Sequence, residues 1–351
     1  MSSLPSEISS HAPVRLAVVG LNFGEYMVNL MHAGIPGLDL RLLCDQQVEK
    51  ARRLAEKCSV RATGSLDEVL ADPEIEAIAL FTGPKGRGAL VEKILSAGKH
   101  LLTTKPFELD LSSAERALAT AATSGLVLHL NSPGPTPAAD LDTIRTWETE
   151  RKLGRVVGLR AETWASYREQ PNGTWYDDPD SCPAAPITRL GIYFLNDFLP
   201  LLGRATRLHV VQSRLFTERP TADNAQITAE FENGSLANVF ASFCINDGEP
   251  YRDDVTLNYE NGTIRRRVIR TPEGGMNTDH VELELTLPGK PVERLQLPPG
   301  AYAGWYQWEA FARAIRGDSR VPRVAAEATL NGVCLLDAVR RSVASGHPVS
   351  V

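Results

Sequence analysis

The stretch PITRLGIYFLNDFL, Pro186 to Leu199, is mostly apolar yet carries Arg189, Tyr193, Asn196 and Asp197. Polar side chains in so oily a segment need either partners or chemistry to perform. On residue type alone, a tyrosine there reads as a core residue with its hydroxyl satisfied. Another group adds spacing to type. The loop GLNFGEY follows a short apolar run, and a dinucleotide fingerprint laid on it puts Gly20, Asn22 and Glu25 at the three glycine positions. Gly20 makes the tight turn. Asn22 tolerates positive φ but crowds a pyrophosphate, Gly24 supplies some of the missing space, and the Glu25 carboxylate suits a helix dipole but opposes a phosphate. Asp45 ends the next apolar run, where a carboxylate accepts from both ribose hydroxyls; it also reads as a helix N-cap, and the two roles are compatible. Gln46 follows it, with no arginine to receive a 2′-phosphate, so NAD is favoured over NADP.

The elements that must position these groups alternate. VRLAVVG from Val14, LDLRLLCD, IEAIALFT, HLLTTKP and LVLHLN read as buried strands. Helices are expected between them, over Glu25–Ala33, along QQVEKARRLAEKC, and after capping boxes at Ser65/Glu68 and Ser112/Glu115. Strict alternation predicts an N-terminal Rossmann-type doubly wound parallel sheet, an α/β domain that binds ligands outside the carboxyl ends of its strands. The candidate cofactor contacts are therefore Gly20, Asn22, Phe23, Gly24, Asp45, Gln46, Thr82, Pro84, Thr104, Lys105 and Pro106, with Asn131 placed to touch nicotinamide or substrate.

Beyond Asn131 the pattern changes. After SPGPTP and one helix, strand signals dominate: VVGLRAETWA, hairpins turning on Asn233-Gly234 and Asn261-Gly262, and HVELELTL. Two helices close the chain. The expectation is a C-terminal α+β domain with a large, mainly antiparallel open β-sheet. The divisions are a flexible tail at 1–12, a dinucleotide-binding domain at 13–132 and a substrate and oligomerisation domain at 133–351. Arg265, Arg266 and Arg267 read as a solvated strand edge. Trp175, in NGTWYDDPD, reads equally as a substrate-cleft residue or a packing one.

Taken together, the Gly20 loop, the Thr104-Lys105-Pro106 motif and the GIY segment before a β-rich half resemble the glucose–fructose oxidoreductase / inositol dehydrogenase / rhizopine-catabolism (Gfo/Idh/MocA) family. Segments such as AGKHLLTTKPFELDLSSAERALATAATSGLVL, LGRVVGLRAE and ITAEFENGSLANV carry the likeness nearly end to end. The resemblance implies hydride transfer between a nicotinamide and a sugar, polyol or related cyclic alcohol. The family's Glu-Lys-Pro falls on Thr104-Lys105-Pro106: the lysine is kept and the glutamate replaced. Its second motif falls on Arg189-Leu-Gly191-Ile-Tyr193 and Asp197, with Tyr193 matching the branch that carries tyrosine where many members have histidine, and Arg189 matching neither. On that frame Tyr193 is the general acid/base, Lys105 its electrostatic partner and Asp197 an orienting group, with Asn131, Trp175, Arg189 and Asn196 near the substrate. The altered positions leave two rivals: a non-catalytic nucleotide- or sugar-binding relative, and an enzyme for a carboxylate-bearing dihydrodiol, a nucleotide sugar or an imine. The resemblance also implies a homodimer or homotetramer formed through the open sheet.

Bulk composition narrows the partners. With 351 residues, 43% of them hydrophobic, and a net charge of −6, the chain is an ordinary globular protein with no field to attract nucleic acid or an anionic membrane. A small-molecule substrate is the expected partner. No apolar run approaches membrane-spanning length. Five irregularly spaced cysteines, at positions 44, 58, 182, 244 and 334, suggest reduced thiols in the cytoplasm, without a disulfide framework or a metal site.

Overall fold

The computed structural model describes residues 12–270 and 278–351; all of the expected N-terminal tail but Ala12 lies outside them. Strand β1 (Val14–Val19) is apolar and buried along almost its whole length, as a strand covered on both faces must be. The alternation continues through α1 (Leu21–His32), β2 (Leu38–Cys44), α2 (Val48–Cys58), β3 (Arg61–Thr63), α3 (Leu66–Ala71), β4 (Ala77–Leu80), α4 (Arg87–Ser96), β5 (His100–Thr103), α5 (Leu111–Ser124) and β6 (Leu128–Leu130). The six strands are parallel, in the order β3-β2-β1-β4-β5-β6. Strand order reverses between β1 and β4, which is where such a sheet opens a ligand crevice.

Local signals were honoured unevenly. Ser65 caps α3 by accepting the Glu68 N–H, as its capping box predicts. Helix α5 is capped by Asp110, which accepts the Ser113 N–H; Ser112, the predicted cap, lies inside the first turn. Helix α1 starts at Leu21, four residues before the predicted Glu25. Asn22 and Gly24 are weak helix formers, but Gly24 is where the helix backbone packs against Phe81 and Val18, and packing outweighs propensity.

Contacts divide the chain into two units. The first runs to Thr136 and takes in Tyr306–Ala326; the second comprises Pro137–Trp305 and Glu327–Val351. The chain thus re-enters the first unit after leaving it. The cause is the apolar face of the helix Trp308–Ile315, whose Trp308, Phe311, Ala312 and Ala314 join Met27, Leu43 and Phe81 in one core.

The second unit holds α6 (Ala139–Glu150), β7 (Val156–Trp164), β8 (Ala205–Ser213), β9 (Asn224–Phe231), β10 (Leu236–Ser242), β11 (Arg252–Tyr259), β12 (Gly262–Arg270), β13 (Thr278–Thr286) and β14 (Glu293–Leu297); after the first unit's helix at Trp308–Ile315, α7, come α8 (Ala326–Ser345) and β15 (Val349–Ser350). Its nine-stranded sheet has the order β14-β13-β12-β11-β7-β10-β9-β8-β15. All neighbours are antiparallel except β7 and β10, which run parallel. A parallel pair needs a long crossover, and the chain between Trp164 and Leu236 supplies it, carrying the Pro186–Leu199 segment on the way. The β9–β10 turn uses Asn233-Gly234 as predicted, with Gly234 at φ +84°. The β11–β12 turn is one residue earlier than predicted: Tyr259 pairs with Gly262, leaving Glu260-Asn261 in the turn.

The arginine run is not a solvated edge. Strand β12 lies between β11 and β13, and Arg266 is buried against Asp140 and Asp253. Only Arg265 and Arg267 face outward, to Glu284 and Glu249. Among the described residues no helix is long and apolar enough to cross a membrane, and none of the five cysteines is in a disulfide.

Candidate nucleotide and substrate sites

In the first unit, Gly20 stands at φ +86° and a Cβ there would meet the Phe81 carbonyl carbon and oxygen at 3.0 Å. Glycine is required on both counts. The Asp45 carboxylate, at the end of β2, accepts the Leu21 N–H at 2.6 Å and the Gln47 N–H at 2.8 Å. It therefore sits at the start of α1; its bond to Gln47 closes a turn ahead of α2, whose N-cap is Gln47 and not Asp45 as the capping expectation had it. The N–H groups of the first turn beyond Leu21 have no intrahelical acceptor, and with the helix dipole they form an anion site. Asn22 is exposed, and exposed Glu25 lies 3.4 Å from Lys50, so neither side chain is buried in the loop. Gly24 frees space for helix packing, not for a ligand. Gln46 is exposed, Thr82 is half-buried and Pro84 buried. The Thr82 hydroxyl oxygen, just beyond β4, is enclosed with no hydrogen-bond partner. A nucleotide fits this set: a glycine turn without room for a side chain, a carboxylate at the ribose position and an unsatisfied hydroxyl beyond β4.

The same strand ends hold Lys105. Its backbone N–H donates to Asn131 Oδ1 at 3.0 Å, and buried Thr104 lies 3.4 Å from the same oxygen. The buried Arg87 guanidinium donates to the carbonyls of Thr82, Thr104 and Pro106. Buried Glu108 accepts the N–H groups of Gly86 and Gly88 at 3.2 and 2.7 Å. Backbone carbonyls on either side of Lys105 are thereby fixed by one cation, while one carboxylate fixes the loop that delivers it. Sequence reasoning passed over both: Arg87 reads as a surface charge between glycines, and Glu108 belongs to no motif. The flanking Gly88, packed on Ser113 with no space for a Cβ, was the available signal. Asn131, expected at nicotinamide or substrate, is buried and spends its carbonyl oxygen on the Lys105 backbone.

In the second unit, Ile187–Gly191 and Phe194–Phe198 are π-helical and Leu199–Leu202 is a 3-10 turn. Wide turns of this kind are frequent where function requires an altered side-chain direction; apolar periodicity gives no warning of them. Gly191 lies on β10, where a Cβ would make ordinary contact with Val239 and Ala241 and crowd only the Ile187 side chain, at 3.0 Å. Tyr193 is half-buried, and its ring lies so close to Gly304 that a methyl on that glycine would overlap it. Asn196 is buried with its amide against Gly332, and Asp197 is half-buried.

Arg189, expected as a cation facing the substrate, is 8% exposed. Its two terminal nitrogens pair with Glu169 at 2.6 and 3.0 Å. Its guanidinium lies 3.8 Å from the Tyr176 ring centre, 4.6 Å from Phe243 and 5.0 Å from Tyr167. Burial works against its charge, but Glu169 and the phenols of Tyr176 and Tyr167 together outweigh it and raise its pKa further; burial raises both Tyr167 and Tyr176. Trp175 joins this cluster, 4.4 Å from Tyr176 between ring centres. Glu169, the partner that matters most here, carries no motif and sits in a stretch without periodicity.

A parallel sheet in this strand order, with a side-chain-intolerant glycine after β1 and an acidic residue after β2, defines a dinucleotide-binding domain. Residues 14–132 match the model of an oxidoreductase family's NAD-binding Rossmann fold, and residues 141–265 match the model of the Gfo/Idh/MocA C-terminal domain. The chain belongs to the Gfo/Idh/MocA oxidoreductase family. It is 28% identical over 201 residues to the UDP-N-acetylglucosamine 3-dehydrogenase of Acidithiobacillus ferrooxidans, covering 56% of this chain and 58% of that one. It is 28% identical over 119 residues to the scyllo-inositol 2-dehydrogenase (NAD(+)) of Bacillus subtilis, covering 33% and 35%. These alignments span little more than half of the first relative and about a third of the second. An inositol dehydrogenase homolog from Azotobacter vinelandii, solved with NAD+, has the same fold: TM-score 0.79 at 19% identity, covering 97% of each chain.

Proposed function

We propose that the protein is an NAD(P)-dependent oxidoreductase moving hydride between a nicotinamide and a secondary alcohol or carbonyl of a sugar, polyol or cyclic diol. The observation that carries this reading is Lys105: an amine on a backbone held by Arg87 and Asn131, at the end of β5 and in the same unit as the Gly20 turn. The nicotinamide, when bound, supplies the hydride acceptor. Gly20 and the first turn of α1 bind its pyrophosphate, and Asp45 turns its carboxylate to the adenosine ribose and favours NAD. Tyr193 takes the substrate hydroxyl proton as the carbon gives up hydride, and returns it in the reverse direction. A free tyrosine titrates near ~10, too high for a base at neutral pH; a neighbouring ammonium favours phenolate. Lys105 supplies that charge and donates a hydrogen bond to the substrate oxygen, and Asp197 orients the lysine or the substrate. Lys105 and Tyr193 belong to different units, and their meeting at one substrate is part of the proposal.

The bidentate Glu169–Arg189 pair weakens the case for an acidic substrate read by Arg189. Assembly as a homodimer or homotetramer through the open sheet completes the reading; light scattering at two concentrations tests it. For the site, the experiment is a thermal shift with NADH and NADPH, followed by turnover of a sugar and polyol panel at the NADH absorbance. NADH should stabilise the protein more than NADPH. Tyr193→Phe and Lys105→Met should each lower turnover by about 10²- to 10⁴-fold with the NADH shift retained. No response to either nucleotide, or near-normal rates in both variants, would reject the proposal.

A further inference from the structure

Tyr306 has no role in the reading above, yet it touches three of the strand ends and loops that form the nucleotide site. Its hydroxyl donates to Thr104 Oγ1 at 2.7 Å. Its ring is near-parallel to Phe23, at 6.3 Å and 28°, and to Trp308, at 5.4 Å and 13°, and edge-on to Phe81 at 5.9 Å. Phe23 belongs to the first turn of α1, and Phe81 follows β4. Gln307 anchors the segment: its Oε1 accepts from Thr136 Oγ1 at 2.6 Å and its Nε2 donates to the Thr136 carbonyl at 2.7 Å.

We infer that Tyr306 is a positioning residue for Lys105, acting through Thr104 and Asn131. The hydrogen bonds have one consistent direction. The Thr104 hydroxyl has a single proton and two acceptors in reach, Asn131 Oδ1 and the Lys105 carbonyl, each at 3.4 Å. A donor at 2.7 Å occupies an Oγ1 lone pair and limits where that proton can turn; in the inferred relay it goes to Asn131. Asn131 Oδ1 then takes two donors, the Thr104 hydroxyl and the Lys105 N–H, and both its lone pairs are used. With its amide oriented, Asn131 holds the Lys105 backbone from one side while Arg87 holds the flanking carbonyls from the other. Tyr306, Thr104 and Asn131 are buried, where a hydrogen bond is strengthened and its loss is felt in full. The backbone from which the amine projects is thus braced by a tyrosine distant in sequence, delivered when the chain returns to the first unit. Stacked on Phe23, the same ring ties the cofactor loop to the lysine.

This rests on the assignment of Lys105 to the chemistry, so the test separates the two. Amide hydrogen exchange is followed in protein labelled with ¹⁵N-lysine, without nucleotide, the Lys105 peak being identified by its loss in Lys105→Arg. Tyr306→Phe keeps the ring stacking and removes only the hydroxyl. Thr104→Val removes the relay, and Thr104→Ser restores it. Exchange of the Lys105 amide should rise about tenfold in Tyr306→Phe and Thr104→Val, the loss of one buried hydrogen bond, and stay near wild type in Thr104→Ser. Turnover should fall in the first two variants with KM for nucleotide unchanged, and recover in the third. Unchanged exchange in Tyr306→Phe overturns the relay whatever Lys105 does. Raised exchange with full activity in Lys105→Met keeps the relay and removes its catalytic purpose.

Discussion

Arg266 Nε and Asp140 Oδ2 lie 3.0 Å apart with side-chain exposures of 1% and 0%. Asp140 also accepts the Ala303 N–H at 3.1 Å, so one buried pair joins α6, β12 and the segment after β14. Arg266 is held on its other side by Asp253. Breaking such a pair leaves a carboxylate without its cation in a place water cannot reach. Arg266→Met should therefore lower unfolding stability by about 3–5 kcal/mol, measured by urea denaturation at neutral pH. Arg265→Met, on the exposed face, should cost less than about 1 kcal/mol. Equal costs would show that the pair is not what joins these elements.

His129 gives the first unit an acid limit. Burial depresses its pKa to about 4, and the bond to the Pro322 carbonyl only partly opposes this. Nε2 lies 2.8 Å from that carbonyl, and Nδ1 is buried with no partner. The native state keeps the ring neutral, while the unfolded chain protonates near ~6.5. Above that value both states are neutral and this group adds no pH dependence. As pH falls from there towards about 4, the unfolded state binds a proton that the native state refuses, and stability declines by about 1.4 kcal/mol per unit. His129→Gln keeps a donor for Pro322 and cannot titrate. The difference in urea midpoint between wild type and variant should shift with acidity across this window in the variant's favour; a constant difference would contradict the assignment.

How much of this was legible follows from what each signal depends on. The parallel sheet was readable because β4 and most of β1 and β5 are buried on both faces and so read as short apolar runs, and Gly20 because a strand-to-helix turn admits no side chain there. Asp45 was readable by position, since the end of β2 is set by topology. The start of α1 was not, because propensity at Asn22 and Gly24 loses to a backbone contact with Phe81 that no local window contains. Arg266 was misread for the same reason: neighbours in sequence cannot show that α6 brings Asp140 beneath it. The partners of Arg189 lie on separate elements, and the wide turns around Tyr193 leave no trace in apolar spacing. Patterning reports what one element needs; it is silent on what a distant element supplies.

Two glycines separate backbone strain from site geometry in the nucleotide-binding unit. Gly20 and Gly34 both have positive φ, but a Cβ on Gly34 meets nothing within 4 Å, whereas one on Gly20 meets the Phe81 carbonyl at 3.0 Å. Gly34→Ala should cost only the left-handed backbone penalty of about 1–2 kcal/mol and keep the NADH-induced thermal shift. Gly20→Ala should cost more and lose the shift, because the loop must leave Phe81 to accommodate the methyl. Retention of the shift in Gly20→Ala would place the pyrophosphate elsewhere.

Gly304 offers the sharpest test of the Tyr193 assignment because it leaves the phenol in place. Its φ is +95°, and a methyl there would overlap the Tyr193 ring, so Gly304→Ala must move the ring or the segment after β14. Gly289 is the control: φ is +67° and a Cβ finds nothing within 4 Å, so Gly289→Ala carries the strain without the collision. If the Tyr193 hydroxyl transfers the substrate proton, a displacement of about 1 Å should cost roughly 10²-fold in turnover in Gly304→Ala. Gly289→Ala should keep its rate and lose only the stability that backbone strain accounts for. Nucleotide binding resides in the other unit and should persist in both, which distinguishes a misplaced acid/base from a misfolded protein. Equal turnover in the two variants would mean that the position of the Tyr193 ring does not limit the rate, against its assignment as the acid/base.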